Sequence, residues 1–74
     1  MYTLYDLEIG SQGKIKEINC NNNIKRRMMD LGIIKGTTIT PILKSPAGNP
    51  RAYEVRGSII AIRSEDAKQI NIIK

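Results

Sequence analysis

Glycine, proline and asparagine recur so closely along these 74 residues that only short strands and one brief helix fit between them. Thr3 ahead of Leu4 and Leu7 reads as a helix cap and a single turn, which Gly10 ends. Gly13 opens a strand whose apolar residues, Ile15 and Ile18, break strict alternation, so a bulge or bend is expected between them. The cluster Asn21-Asn22-Asn23 is a turn and a natural cap. A helix over Ile24 to Leu31 follows, because Ile24, Met28 and Leu31 recur at i, i+4 and i+7 and form one apolar stripe, read here as core. Gly32 supplies the left-handed residue that stops it.

Beyond Gly36 the pattern turns extended. Thr37 to Leu43 is rich in β-branched residues, and Pro41 within it requires an edge strand or a bulge, since proline cannot donate to a ladder. Ser45 to Pro50 is a loop. Two strands then run over Ala52–Arg56 and Ser58–Arg63, joined at Gly57. Tyr53 and Val55 alternate with charged residues, while Ile60 and Ile62 face one way and Ile59 and Ala61 the other. Ser64 caps a helical turn with Glu65 and Asp66 in it, and Ile70-Asn71-Ile72 is a closing strand. The sum is a mainly β chain of about five short strands with one short α-helix and helical turns, a single domain over residues 1–74. A small closed or half-open barrel is the architecture that suits strands this short.

A domain of this size buries only about 60% of its unfolded surface, which leaves no room for a deep cleft. Function therefore belongs on the surface. The one cysteine, Cys20, excludes an internal disulfide and suits a reducing, cytoplasmic setting. Asp6 and Glu8 stand where a signal peptide would need a basic and then an apolar run, and no apolar run reaches membrane-spanning length, so no direct membrane insertion is expected. Histidine is absent, which removes the commonest general base and metal ligand, and leaves Cys20 without an activating partner. Glu65-Asp66 is an isolated acidic pair already explained by helix capping. The expectation is no catalytic residue, no cofactor and no resident metal.

Charge is uneven. Ile24 to Arg56 holds seven basic residues (Lys25, Arg26, Arg27, Lys35, Lys44, Arg51 and Arg56) against Asp30 and Glu54, and the formal net charge of the chain is +5. Such a field suits an acidic protein surface, a nucleic acid or a membrane face, or simply keeps a small protein soluble. Nucleic acid is disfavoured: there is no Phe or Trp to stack on bases, and only Tyr53 of the three tyrosines lies in a strand. Met29, one residue round from the apolar stripe and flanked by Arg26 and Asp30, suits an adaptable partner contact or a gap-filler against the loop after Gly32.

The stretch Arg27-Met28-Met29-Asp30-Leu31-Gly32-Ile33-Ile34-Lys35-Gly36-Thr37-Thr38-Ile39 resembles the signature of the FeoA family, an arginine and two apolar residues before Leu-Gly, then a spaced glycine and isoleucine. Pro46 to Pro50 leading into Tyr53-Glu54-Val55-Arg56-Gly57 is similar to the same family, as are Ile60-Ala61-Ile62-Arg63 with Ala67 and Ile70, and Leu4, Leu7, Gly10 and Gly13 near the start. The resemblance covers about Leu4 to Ile72. Met28-Met29 stands where leucine is more usual, and Lys35 precedes Gly36 where proline is common.

This resemblance implies an SH3-like barrel and a role in bacterial ferrous-iron uptake, as a cytosolic accessory to the membrane transporter FeoB, which carries a GTPase domain. Related domains also end some metal-dependent repressors. No DNA-binding segment stands in front of this one, which favours the accessory role. Without histidine or a cysteine pair the chain is a poor iron carrier, so contact alone is expected to bias the transporter. The expected partner-binding residues are Arg26, Arg27, Met28, Met29 and Ile33, with Met28 either touching the partner or holding the helix in place. The alternatives are a nucleic-acid-binding barrel of ribosomal or transcription type and a weak homo-oligomer.

Overall fold

Where turn residues divide the sequence, the chain turns, and the elements between them are as short as that spacing requires. The computed structural model describes residues 2–73. Among these, a 3-10 turn over Leu4–Asp6 is followed by β1 (Gly13–Ile18), α1 (Asn22–Asp30), β2 (Thr38–Lys44), β3 (Arg51–Val55), β4 (Ser58–Ile62), α2 (Ser64–Ala67) and β5 (Ile70–Ile73). The five strands described form one antiparallel sheet in the order β4-β3-β2-β1-β5.

The odd spacing in β1 is resolved by a bulge. Ile15 pairs with Ile72, but Glu17 pairs with Asn71, so the register slips between them and both Ile15 and Ile18 turn inward. β2 lies between β1 and β3 and so is not an edge strand, but its pairing with β1 covers only Thr38 and Ile39; Pro41 pairs with Tyr53 of β3 alone, next to a register shift between Pro41 and Leu43 that meets the bulge alternative. The Pro41 carbonyl accepts from the Gly10 N–H at 2.7 Å. Arg56 and Gly57, at φ 52° and 83°, form the two-residue turn that joins β3 to β4. Ser64 does not cap α2. Arg63 occupies the cap position, and its guanidinium meets the Asp66 carboxylate at 3.3 Å.

Asn21 caps α1 as the sequence implies, its Oδ1 accepting from the Ile24 N–H at 3.0 Å. Replacing Asn21 with alanine is expected to cost about 1 kcal/mol, read as a Tm lower by roughly 4–8 °C in a domain of this size. A thermal melt followed by circular dichroism checks it.

The core gathers Leu4, Leu7, Ile15, Ile39, Tyr53 and Ile70, all essentially inaccessible to solvent. The two outer edges of the sheet differ. On β5, the Ile72 N–H donates to the Tyr2 carbonyl at 2.9 Å and Thr3 bridges Asn71, so the N-terminal segment covers that side. On β4, no strand among the described residues pairs with the outer side.

Candidate partner-contact surface

The end of α1 is built as a Schellman motif. The Ile33 N–H donates to the Met28 carbonyl at 2.9 Å and the Gly32 N–H to the Met29 carbonyl at 3.0 Å, with Gly32 at φ 87°. Such a motif brings the residue after the left-handed glycine against the residue five before it. Here these are Ile33 and Met28, and both are buried. Of the five residues expected at the partner surface, these two are therefore buried, and they form the floor of the groove described below. Thr37 locks the exit: its hydroxyl accepts from the Ile34 N–H and donates to the Gly32 carbonyl, each at 3.3 Å. The Gly36 N–H and Thr37 carbonyl in turn bond to Ile15 of β1.

Leu31 departs from the expected core stripe. α1 ends at Asp30, Leu31 takes the C-cap position, and the space beneath goes to Ile33, so Leu31 is left 45% exposed. It looks onto a groove of about 550 Å³ between α1 and β4. Ile24, Arg27 and Leu31 form the helix wall, Ile59 to Ile62 the strand wall, and Met28 and Ile33 lie beneath. Pro50, Arg63 and Asp66 close one end. Ile59 is the most exposed large apolar side chain in the described residues, at 69%. Alternation alone marked Ile59 as facing away from the core; that it stands opposite Leu31 depends on long-range packing.

Met29 points to the other flank of α1. It is 54% exposed and lines a second groove of about 370 Å³ with Ile34, Lys25, Lys35, Lys16 and Glu17. Arg26 stands beside it on a shallow surface with Asn22, Lys25 and Asp30. The helix thus separates the expected residues, with Arg27 on one flank and Met29 and Arg26 towards the other.

Arg51 is half-buried and turned away from the basic surface. Its Nη1 donates to the carbonyls of Tyr5 (3.1 Å) and Leu7 (3.4 Å), and its guanidinium stacks 4.8 Å from the Tyr5 ring centre, fastening the 3-10 turn to β3. Tyr53, the one strand tyrosine, is wholly buried and burial pushes its phenol up, so it offers no stacking platform. Cys20 is buried with its Sγ donating to the Asp66 carbonyl at 3.7 Å. Burial first and the Asp66 charge second push its thiol up, away from the thiolate that nucleophilic chemistry needs. Asp6, by contrast, is held low by the Thr3 backbone N–H and hydroxyl, both donating to its carboxylate at 3.0 Å. Among the described residues no three His, Cys, Asp or Glu side chains come together to hold a metal ion. No helix among them is long and apolar enough to cross a membrane.

A five-stranded antiparallel sheet around one small core, with grooves on either flank of α1, defines a small SH3-like β domain. Solved structures agree with that class. The crystal structure of Stenotrophomonas maltophilia FeoA complexed with zinc, described as a prokaryotic SH3-domain protein, superposes with a TM-score of 0.84 at 26% identity, covering 97% of this chain and 89% of that one. The NMR structure of a FeoA-like protein from Clostridium acetobutylicum gives a TM-score of 0.84 at 34% identity over 99% of this chain and 84% of its own.

The FeoA-domain profile matches residues 2–74, and the chain belongs to the FeoA family. An Fe(2+) transport protein A/Fe(2+) transporter FeoB fusion protein from Porphyromonas gingivalis is 28% identical over 69 residues, 93% of this chain; the chain spans only 8% of that protein's length. A candidate Fe(2+) transport protein A from Campylobacter jejuni is 29% identical over 70 residues, 95% of each chain.

Proposed function

We propose that residues 1–74 act as one non-enzymatic accessory domain of bacterial ferrous-iron uptake, working in the cytoplasm by contact with the cytosolic part of a FeoB-type transporter. The observation that carries this reading is the concentration of exposed apolar side chains at the end of α1. Met29, Leu31 and Ile34 all face solvent within six residues of chain. They lie on both flanks of the helix end, and a partner seated there covers them together. The Porphyromonas protein, which joins a similar segment to a FeoB transporter in one polypeptide, supports the choice of partner. Covalent linkage of that kind raises the effective concentration of one module at the other. The Stenotrophomonas protein is described as a candidate activating factor for ferrous-iron transport, which fits the same role.

In this reading the contact surface comprises Arg26, Arg27 and Met29, with Met28 and Ile33 holding the helix in place from beneath. Leu31 and Ile59 join it. Contact favours one conformation or nucleotide state of the transporter and so changes its population. The GTPase domain of the transporter is the part placed to respond.

The test is capture of the FeoB-type transporter from membranes of the same cell on immobilised protein, with and without a GTP analogue and ferrous iron. Recovery of the transporter, identified by mass spectrometry, is expected with the wild type and lost with Met29→Asp, whose side chain is exposed enough to leave the fold intact. Recovery of nucleic acid or ribosomal material in its place would overturn the reading. So would undiminished capture by Met29→Asp, as far as this surface is concerned.

A further inference from the structure

Edge strands usually carry a charge, a proline or a covering segment that prevents other chains from pairing with them. The β5 edge has such a cover in the N-terminal segment. Among the described residues the β4 edge has none of these devices. Its sequence, Ser58-Ile59-Ile60-Ala61-Ile62, contains no charge and no proline. Its inner side pairs with β3 along its whole length, from Val55↔Ser58 to Arg51↔Ile62. Its outer side borders the open groove in front of α1.

We propose that the outer edge of β4 is a docking strand, to which an extended segment of a partner protein, apolar in the middle and acidic at both ends, adds as a sixth strand of the sheet. This rests on the partner-contact reading above and specifies how the side of that contact bearing Leu31 and Ile59 is made, Met29 lying on the opposite flank of α1. The backbone of the added segment pairs with β4, and alternate side chains drop into the groove between Ile59 and Leu31. β4 is five residues long, so the paired stretch spans about 16 Å at roughly 3.3 Å per residue.

Charge selects this occupant over a second copy of the chain. Arg56 stands just before β4 and Arg63 just after it. Two copies pairing antiparallel edge to edge would set Arg56 of one against Arg63 of the other at both ends, with a formal charge of +5 on each molecule. Like charges so placed oppose association. A segment with carboxylates at its two ends meets the same arginines favourably, and Arg27 on the helix wall adds a third cation. Asp66 offsets only Arg63, to which it is already bonded.

The probe is a synthetic peptide of alternating valine and threonine with a pair of glutamates at each end, titrated into isotope-labelled protein. Binding is expected to slow hydrogen exchange of outward-facing amides in Ser58–Ile62 by about tenfold or more. Lysine in place of the glutamates, or Ile59→Asp in the protein, is expected to weaken binding by about tenfold. N-methylation of peptide residues on the edge that faces β4 abolishes binding, while N-methylation on the opposite edge leaves it intact.

Absence of binding overturns the proposal. So does binding that perturbs α1 without protecting β4, or protection of β4 in the protein alone that disappears on dilution, which would assign the edge to a second copy. Transporter capture with β4 unprotected sinks edge addition and leaves the contact reading standing. Peptide binding without transporter capture does the reverse.

Discussion

Ile33→Ala is expected to lower the unfolding midpoint by roughly 12–24 °C, the equivalent of about 3 kcal/mol in a domain this small. The side chain is fully buried and its backbone closes the Schellman motif against Met28. Truncating a buried isoleucine loses transfer energy and leaves a cavity, typically about 2–5 kcal/mol together. A chain of 74 residues has only about 4–11 kcal/mol of total stability at roughly 0.05–0.15 kcal/mol per residue. One substitution thus removes a large share of the whole. Thermal unfolding monitored by far-ultraviolet circular dichroism measures it. A variant that keeps its Tm but loses transporter binding would return Ile33 to the contact surface.

Burial sets Ile33 apart from the exposed residues expected at the contact. An apolar residue just beyond a helix-stopping glycine looks loop-borne and free to meet a partner. The same spacing, an apolar residue at 28, glycine at 32 and an apolar residue at 33, is the signal of a hydrophobic contact closing the helix end. That local signal identifies both Met28 and Ile33 as core. Leu31 misled in the opposite sense. It keeps the helical period, its N–H bonding the Arg27 carbonyl and its side chain sharing a groove wall with Ile24, but Ile33 fills the buried position at the helix end and leaves Leu31 exposed.

Signals set by nearest neighbours were legible. The bulge in β1, the cap at Asn21, the glycine at the α1 exit and the inward Tyr53 and Val55 all follow from local chemistry. What depended on the sheet order was not. Pro41 left two alternatives, and the strand order together with the register shift against β3 decides for an internal strand with a bulge. Arg51 counted as surface charge until β3 brought it against carbonyls more than forty residues earlier in the chain. The groove had the same limitation. Its walls, Leu31 and Ile59, are separated by a hairpin and two loops, and no local pattern says that they face one another.

Leu31→Asp is expected to weaken binding of the transporter by about 100-fold while leaving the fold intact. The side chain is nearly half exposed at the C-cap, so little core packing is lost. A carboxylate near a helix C-terminus costs a few tenths of a kcal/mol, too little to unfold the chain. At the partner the effects accumulate. Apolar burial worth about 1–2 kcal/mol disappears, and a charge must be desolvated in its place. The new carboxylate also lies four residues after Arg27, where it engages the guanidinium that a partner's acid would use. Leu31→Ser separates these contributions, because it removes the apolar area without adding charge and should cost only about tenfold. Titration of the transporter's cytosolic portion by calorimetry reads both variants, with Met29→Asp alongside. Loss with Leu31→Asp points to the groove between α1 and β4, where an added strand would lie. Unchanged affinity with Leu31→Asp, together with loss in Met29→Asp, moves the contact to the lysine-lined groove on the opposite flank and leaves the bare β4 edge without this partner.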